Sequence, residues 1–431
     1  MEKKRVKVGL MGLGTVGSGV VRLIENHQED LVKQTGLAVE IAKVLVRDVH
    51  KPRSVNVSPE LLTDRPEDLL DDPELDVIIE VMGGIDPARE YVLRAIRNGK
   101  HVITANKDLL SVYGAQLTAE AVQNGCDLYY EASVGGGIPI LRALNESFTA
   151  DRITKIFGIV NGTTNYILTK MSQQGMPYEE ALKQAQALGF AEADPTADVE
   201  GLDAARKMAI LGTLGFHMNL VFDDVRVRGI TGVTPEDIDY ARQLGYTIKL
   251  LGIAQLDDGL VELSVEPTMI PSNHPLAAVN DEYNAIYVYG RAVGETMFYG
   301  PGAGELPTAS AVVADLVAVV KNLRLGINGR STVAPYRPKQ LKSDEQIELK
   351  QFLRVIAEDK AGVLARMTQL LARYEVSLER VLQRPYDKGI SEIVIVTHTA
   401  PKKALDAVVR ELENLDVIRE IRSRYRVEGG N

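Results

Sequence analysis

A single cysteine, Cys126, stands in 431 residues. That excludes a disulfide framework and a cysteine-cluster metal site. Positive charge is in deficit, since 49 Lys and Arg face 59 Asp and Glu for a formal charge of −10. The balance argues against a broad nucleic-acid surface and offers nothing to an anionic membrane. Long apolar runs are lacking as well, and no stretch approaches the roughly 20 apolar residues of a membrane span. The opening MEKKRVKVGLMGLG is basic and then apolar, as a secretory signal is. Glycines interrupt its apolar part, however, and no cleavage-like sequence follows. The expectation is a cytoplasmic protein without a membrane or nucleic-acid partner. What is present is ordinary: 45% hydrophobic and 25% charged residues suit a globular chain, long enough for two or three domains.

VKVGLMGLGTVGSGVVRLI reads as strand, glycine turn and helix. Gly12, Gly14 and Gly17 make the G-x-G-x-x-G pattern, and Leu13, Thr15 and Val16 complete the loop. The first glycine permits the tight turn, the second lets a pyrophosphate approach the backbone, and the third allows close helix–strand packing. The helix start then offers free N–H groups to phosphate. The next strand, AVEIAKVLVRD, ends in Arg47 and Asp48. An acid there suits the ribose hydroxyl of NAD and an arginine the 2′-phosphate of NADP. Register decides between them, and Arg47 with NADP is favoured, NAD being the alternative.

Strands and helices continue to alternate through LDVIIEVMGG, DPAREYVLRAIRNG and HVITANK. This predicts a parallel, doubly wound sheet with ligands beyond the carboxyl ends of its strands. Thr104, Ala105 and Lys107 fall at such an end, read as a strand ending at Lys107. Lys107 there either meets a ligand or simply starts a surface loop. YYEASVGGGIPILRAL runs from a strand through three glycines to a helix. Glu131 and nearby carbonyls suit a hard cation, although a sharp turn explains the glycines equally well. NGTTN, Asn161 to Asn165, starts another helix, where N–H groups can hold a carboxylate or Thr163 or Thr164 can act as an ordinary cap.

EADPTADVEGLDAARKM, Glu192 to Met208, concentrates carboxylates ahead of a lysine. Helical periodicity resumes near Gly201, and Asp203 and Lys207 share a face four residues apart. The helix continues MAILGTLGF, so a lysine on it faces a cavity rather than bulk water. The segment Ala185–Lys207 resembles the signature segment of homoserine dehydrogenases. The resemblance extends over essentially the whole chain through TANK, EASVGGGIP, NGTTNYI and GPGAGELPTASAV.

That resemblance implies reversible, NAD(P)-dependent interconversion of L-aspartate 4-semialdehyde and L-homoserine, on the route to threonine, methionine and isoleucine. It implies proton transfer by Lys207 and Lys107, with Lys207 the chosen donor. Glu192, Asp198 and Asp203 bind or orient the amino acid, with Gly162 and Thr163 at its carboxylate end. Glu131 and the carbonyls of Val134, Gly136 and Ile138 hold a structural sodium ion, and Gly302 closes over the nicotinamide. Phe190 stands where some relatives carry tyrosine, so a hydroxyl contact is missing. The chemistry agrees: hydride delivery to an aldehyde builds alkoxide character that a protonated lysine stabilises and protonates.

YGPGAGELPTASAVVADLVAVVKNL joins a glycine-rich loop to an apolar helix expected to pack on the nucleotide domain. NGRSTVAPYRPKQLKSDEQIE reads as a linker. Beyond it the pattern is βαββαβ, a ferredoxin-like order resembling an ACT domain, with Asp359 to Leu364 lining an amino-acid site. Threonine feedback and a purely structural pairing role stand equal there. The expected division is a Rossmann-like domain at 1–130 completed by a helix at about 305–325, an α+β substrate and dimerisation domain at 131–304, a linker at 326–349 and the ACT domain at 350–431. A homodimer or homotetramer is expected, since open sheets often pair across a two-fold axis. Two other readings compete. Aspartate-semialdehyde dehydrogenase needs a cysteine nucleophile, and Cys126 lacks a nearby histidine in sequence. A catalytically inert nucleotide and amino-acid sensor would not need both lysines and the acidic loop.

Overall fold

The computed structural model describes residues 5–329 and 333–429. Residues 330–332 of the expected linker, and the ends 1–4 and 430–431 of the first and last expected domains, lie outside the described residues. The chain divides into two compact units. One takes residues up to Val160 with Arg206–Val225 and Tyr283–Lys339; the other takes Asn161–Ala205, Arg226–Glu282 and the chain from Gln340 onward.

In the first unit, β1 (Arg5–Met11), β2 (Ala38–Leu45), β3 (Leu62–Thr63), β4 (Val77–Glu80), β5 (His101–Thr104) and β6 (Leu128–Tyr129) form a sheet ordered β3-β2-β1-β4-β5-β6. Every neighbouring pair is parallel. All four residues of β4 are fully buried, as a strand covered by helices on both faces requires. The strand order reverses between β1 and β4, which is where a doubly wound sheet opens a crevice for ligands. Helix α1 (Thr15–Asn26) returns from β1 and buries Val20, Val21 and Ile24.

Helix Glu305–Leu325 packs on that same core, with Ala309, Val312, Leu316, Val319 and Val320 buried among the α1 and β1 side chains. By length and composition it is apolar enough to cross a membrane, which corrects the expectation that no stretch is. Pro307, Asp315 and Lys321 disguise the run in the sequence. In the fold its apolar face is taken up by protein. Strands Ile153–Ile159, Tyr283–Gly290 and Gly294–Pro301 add an antiparallel set to this unit.

In the second unit, the long hairpin Tyr246–Asp257 and Leu260–Pro271 supports the helix Gly162–Gln174. From Glu348 the order is strand, helix, two strands, helix and strand, with a two-residue strand Ala400–Pro401 ahead of the second helix. The four long strands lie in the order fourth, first, third, second, all antiparallel. This is the ferredoxin-like arrangement, cored by Val363, Met367, Leu370 and Leu371 from one helix and Leu405, Val408 and Leu412 from the other. Its last strand also pairs in parallel with Leu260–Pro271, through Thr268 and Met269, so the sheet is continuous within the unit.

Candidate active site

The glycine loop shapes the crevice at the end of β1. Gly12 holds φ at +100°, and a Cβ there would press on the Val81 carbonyl. A Cβ on Gly17 would overlap the Gly12 carbonyl oxygen, so only glycine lets α1 start this close to β1. Nothing lies within 4 Å of a Cβ built on Gly14, the residue capping α1, which leaves its backbone open to an approaching phosphate. A cavity of about 440 Å³ opens beside Gly12, Leu13 and Gly14. Arg47, Lys51 and Arg53 line its far wall together with Asp48. Asp48 accepts the His50 N–H at 2.8 Å. Arg53 donates to the Asp48 carbonyl at 2.6 Å and to the Leu13 carbonyl at 3.4 Å, bridging the strand end and the glycine loop. Its buried Nε has no partner among the described residues. Lys51 and Arg53 were not read from the sequence, because both arrive from a loop beyond β2 and only folding returns them to the glycine turn.

The ends of β4 and β5 are tied together by a buried carboxylate. Glu80 is fully buried; it accepts the Thr104 hydroxyl at 2.6 Å and the N–H groups of Met82 and Gly83 at 2.8 and 3.2 Å. The Thr104 hydroxyl in turn accepts the Asn106 N–H, and the Asn106 side chain donates to the Gly84 carbonyl at 2.6 Å. Asn106 also caps helix Lys107–Gln123, accepting the Leu109 N–H at 3.0 Å. Lys107 is thus the first residue of a helix; β5 stops at Thr104, short of the strand end predicted at Lys107. The cap explains the difference, because an asparagine that satisfies a helix N–H ends the strand before it. Ala105 sits half-buried between them.

Lys207 lies in helix Leu202–Phe216, is 9% exposed and donates to the Val160 carbonyl at 2.7 Å. An ion pair of 2.8 Å between Arg206 and Asp108 ties together the segments that carry Lys207 and Lys107. The glycine-rich loops at 135–137 and 301–304 pack against each other: Gly137 donates its N–H to the Pro301 carbonyl, and a Cβ on Gly136 would press on Gly302. Gly302 itself abuts the Asn284 amide so closely that no side chain fits.

In the second unit, Asn161 is the hub of the acidic cluster. Its side-chain carbonyl caps helix Gly162–Gln174 by accepting the Thr164 N–H at 2.9 Å, so the cap is neither threonine named from the sequence. Its amide donates to Asp198 at 2.7 Å and to Asp203 at 2.9 Å. The Thr163 hydroxyl donates to the Phe190 carbonyl at 2.6 Å and lies 3.2 Å from Asp198. Asp203 is 6% exposed. Gly162, Thr163, Asp198 and Asp203 are therefore brought together. Glu192 is not: it is exposed, and only its backbone carbonyl is engaged, by Gln186. The Phe190 ring packs on Tyr166 at 5.0 Å.

Glu131 is buried and accepts the N–H groups of Leu141 and Arg142 at 2.8 and 2.7 Å. Its own N–H donates to Asp315, which also pairs with Arg142 at 2.7 Å. Burial pushes the Asp315 carboxyl up to about 7, and the neighbouring Glu131 charge adds to it. Burial raises Glu131 as well, against the two N–H groups that lower it. Among the described residues, the buried Val134 and Gly136 carbonyls accept no hydrogen bond, while that of Ile138 accepts the Ile140 N–H. Uncommitted carbonyls beside one carboxylate fit a hard, oxygen-liganded cation; no cluster of three or more His, Cys, Asp or Glu side chains for a transition metal occurs among the described residues. Cys126 is buried, and its thiol is pushed up to about 11 by that burial. It is no nucleophile, which removes the semialdehyde-dehydrogenase reading.

Three family models match the chain: homoserine dehydrogenase, NAD binding domain, over residues 12–131; homoserine dehydrogenase over 139–317; and ACT domain over 352–417. A homoserine dehydrogenase of Bacillus subtilis is 56% identical over 429 residues, covering 99% of both chains. The crystal structure of a homoserine dehydrogenase from Thiobacillus denitrificans superposes with a TM-score of 0.93 at 40% identity, again over 99% of both. A hyperthermophilic archaeal homoserine dehydrogenase in complex with NADPH matches 73% of this chain and 97% of its own, at 25% identity and a TM-score of 0.62. Full-length likeness in sequence and in fold, around a parallel nucleotide-binding sheet and an ACT-type C-terminal domain, leaves one conclusion: this chain belongs to the homoserine dehydrogenase family.

Proposed function

We infer that the chain interconverts L-aspartate 4-semialdehyde and L-homoserine with a nicotinamide cofactor, a step toward threonine, methionine and isoleucine. The observation that carries this reading is the 56% identity to a homoserine dehydrogenase over 99% of both chains. The cofactor, when bound, supplies or accepts the hydride. Lys207 holds a proton for the substrate's terminal oxygen: it protonates the alkoxide as the aldehyde is reduced and takes the hydroxyl proton in the reverse direction. Lys107, at the start of its helix, is the second lysine of the reaction. Asp198 and Asp203, oriented by the Asn161 amide, receive the substrate ammonium. The N–H groups of Gly162 and Thr163 receive its carboxylate at a helix start. Glu192 joins this role only if its exposed side chain turns inward on binding.

The Gly12–Gly17 loop, Thr104, Ala105, Lys107 and Gly302 are the cofactor-binding set. Arg47, Lys51 and Arg53 favour NADP over NAD, since three cations line the cavity beside Asp48, whose carboxylate is engaged by His50. The NADPH complex of the archaeal relative supports the same choice. Glu131 with the carbonyls of Val134, Gly136 and Ile138 holds a structural sodium ion. The ACT domain takes an amino acid such as threonine near Asp359 to Leu364, and the enzyme works as a homodimer or homotetramer in the cytoplasm.

Initial rates followed by nicotinamide absorbance with L-homoserine, using NADP and NAD in turn, test the reading. Turnover is expected with both or with NADP alone, faster with NADP. A folded protein that binds nucleotide but turns over with neither would be an inert sensor instead.

A further inference from the structure

One buried cation has no part in the chemistry above. Lys249 lies in strand Tyr246–Asp257 and is 2% exposed. Its ammonium donates to the Val279 carbonyl at 2.5 Å and to the side-chain oxygens of Asn165 at 3.1 Å and Asn280 at 3.4 Å. All three acceptors are neutral. The charge that favours its protonated form is Asp281, and that carboxylate pairs with Lys170 at 3.0 Å. A lysine kept only for packing would be replaced by an apolar side chain at no loss of stability, because burying an ammonium is expensive. Its bonds therefore point to a task, and they converge on one short segment, residues 279–282.

That segment is held from the helix side as well. Asn165 donates to the carbonyls of Val279 and Asp281 at 3.2 and 2.8 Å, and the Thr169 hydroxyl accepts the Asp281 N–H at 3.0 Å. Asp281 has φ of +55°, the left-handed region that a non-glycine residue keeps only when its surroundings impose it. The next residue, Glu282, brings its carbonyl oxygen to 2.7 Å from a Cβ built on Gly162. The clamp thus seats a strained segment directly against the backbone of the first residue of helix Gly162–Gln174.

We propose that Lys249 is a positioning residue for the substrate's carboxylate: by fixing residues 279–282 against Gly162, it sets the direction of the N–H groups at the helix start. The inference rests on the carboxylate role given above to Gly162 and Thr163. It assigns Lys249 no contact with substrate, cofactor or reacting atoms.

Steady-state kinetics of the full-length enzyme test it, with Lys249→Met, Lys249→Arg and Thr169→Val compared with the parent. Lys249→Met is expected to raise the KM for L-homoserine about tenfold, with kcat and the KM for NADP within about threefold of the parent, as loss of uniform substrate binding requires. Lys249→Arg restores part of the KM. Thr169→Val loosens the same segment from the helix side and raises the same KM should Lys249→Met fail to fold. A folded Lys249→Met, or Thr169→Val in its place, with an unchanged KM for L-homoserine overturns the proposal. So does a proportional rise in both KM values or a fall in kcat alone. A parent that does not turn over L-homoserine is the separate failure of the underlying reading.

Discussion

Asn161 does two jobs with one side chain: its carbonyl caps a helix while its amide holds two carboxylates. Asn161→Ala removes all three bonds. The expected result is a loss of about 1–2 kcal/mol of stability from the cap and about a tenfold or larger rise in the KM for L-homoserine, read by thermal melting and initial rates. The sequence named the segment but not the residue, because NGTTN offers three competent caps and only the position of the first helical turn decides among them. Arg53 was hidden for a different reason: its contacts with Leu13 and Asp48 exist only after β2 and the glycine loop come together. Arg53→Ala is expected to weaken NADP binding about tenfold or more and NAD binding little, measured by titrating each nucleotide. An equal effect on both would give Arg53 a purely structural role. Gly12, Gly14 and Gly17, by contrast, were legible as soon as their spacing was seen, since each answers a local backbone demand.

Periodicity carried the elements well. Apolar positions three and four apart located α1, the buried helix from Leu202 and both helices of the ferredoxin-like sheet. Boundaries were less legible where a side chain far away in sequence closes an element, as Glu80 and Asn106 do at the ends of β4 and β5. Asp315 is the sharpest omission: a lone carboxylate in an apolar helix signals a partner, and its partners are Arg142 and the Glu131 N–H. Strand Tyr246–Asp257 supplies an element-scale test through Lys249, whose ammonium burial lowers to about 8 from an ordinary 10.5. The unfolded chain therefore binds a proton between about pH 8 and 10.5 that the folded chain does not. This group's contribution to stability rises with pH through that window and is at its most unfavourable below it. The difference amounts to about 3 kcal/mol. Denaturant titrations of the parent minus Lys249→Met should show that rise; a flat difference across the window would mean the amine is not desolvated as described.

For the molecule as a whole, alternating strands and helices followed by βαββαβ were enough to place a doubly wound sheet and a ferredoxin-like one. The membrane-length apolarity of Glu305–Leu325 was not legible, because its charged interruptions mask a helix whose apolar face is absorbed by the nucleotide-binding core. A nucleotide that binds only the folded chain stabilises it by mass action, about 2.7 kcal/mol at a hundred times Kd. The melting temperature should therefore rise more with NADP than with NAD at equal concentration. The central claim, that a buried lysine moves the proton, is tested most directly by kcat for L-homoserine oxidation in Lys207→Ala beside the parent and Lys107→Ala. A fall of about 100-fold or more in Lys207→Ala, with nucleotide binding and melting temperature retained, is the expected result. A folded Lys207→Ala that keeps parental kcat would contradict it, and loss of kcat confined to Lys107→Ala would move the proton to that lysine.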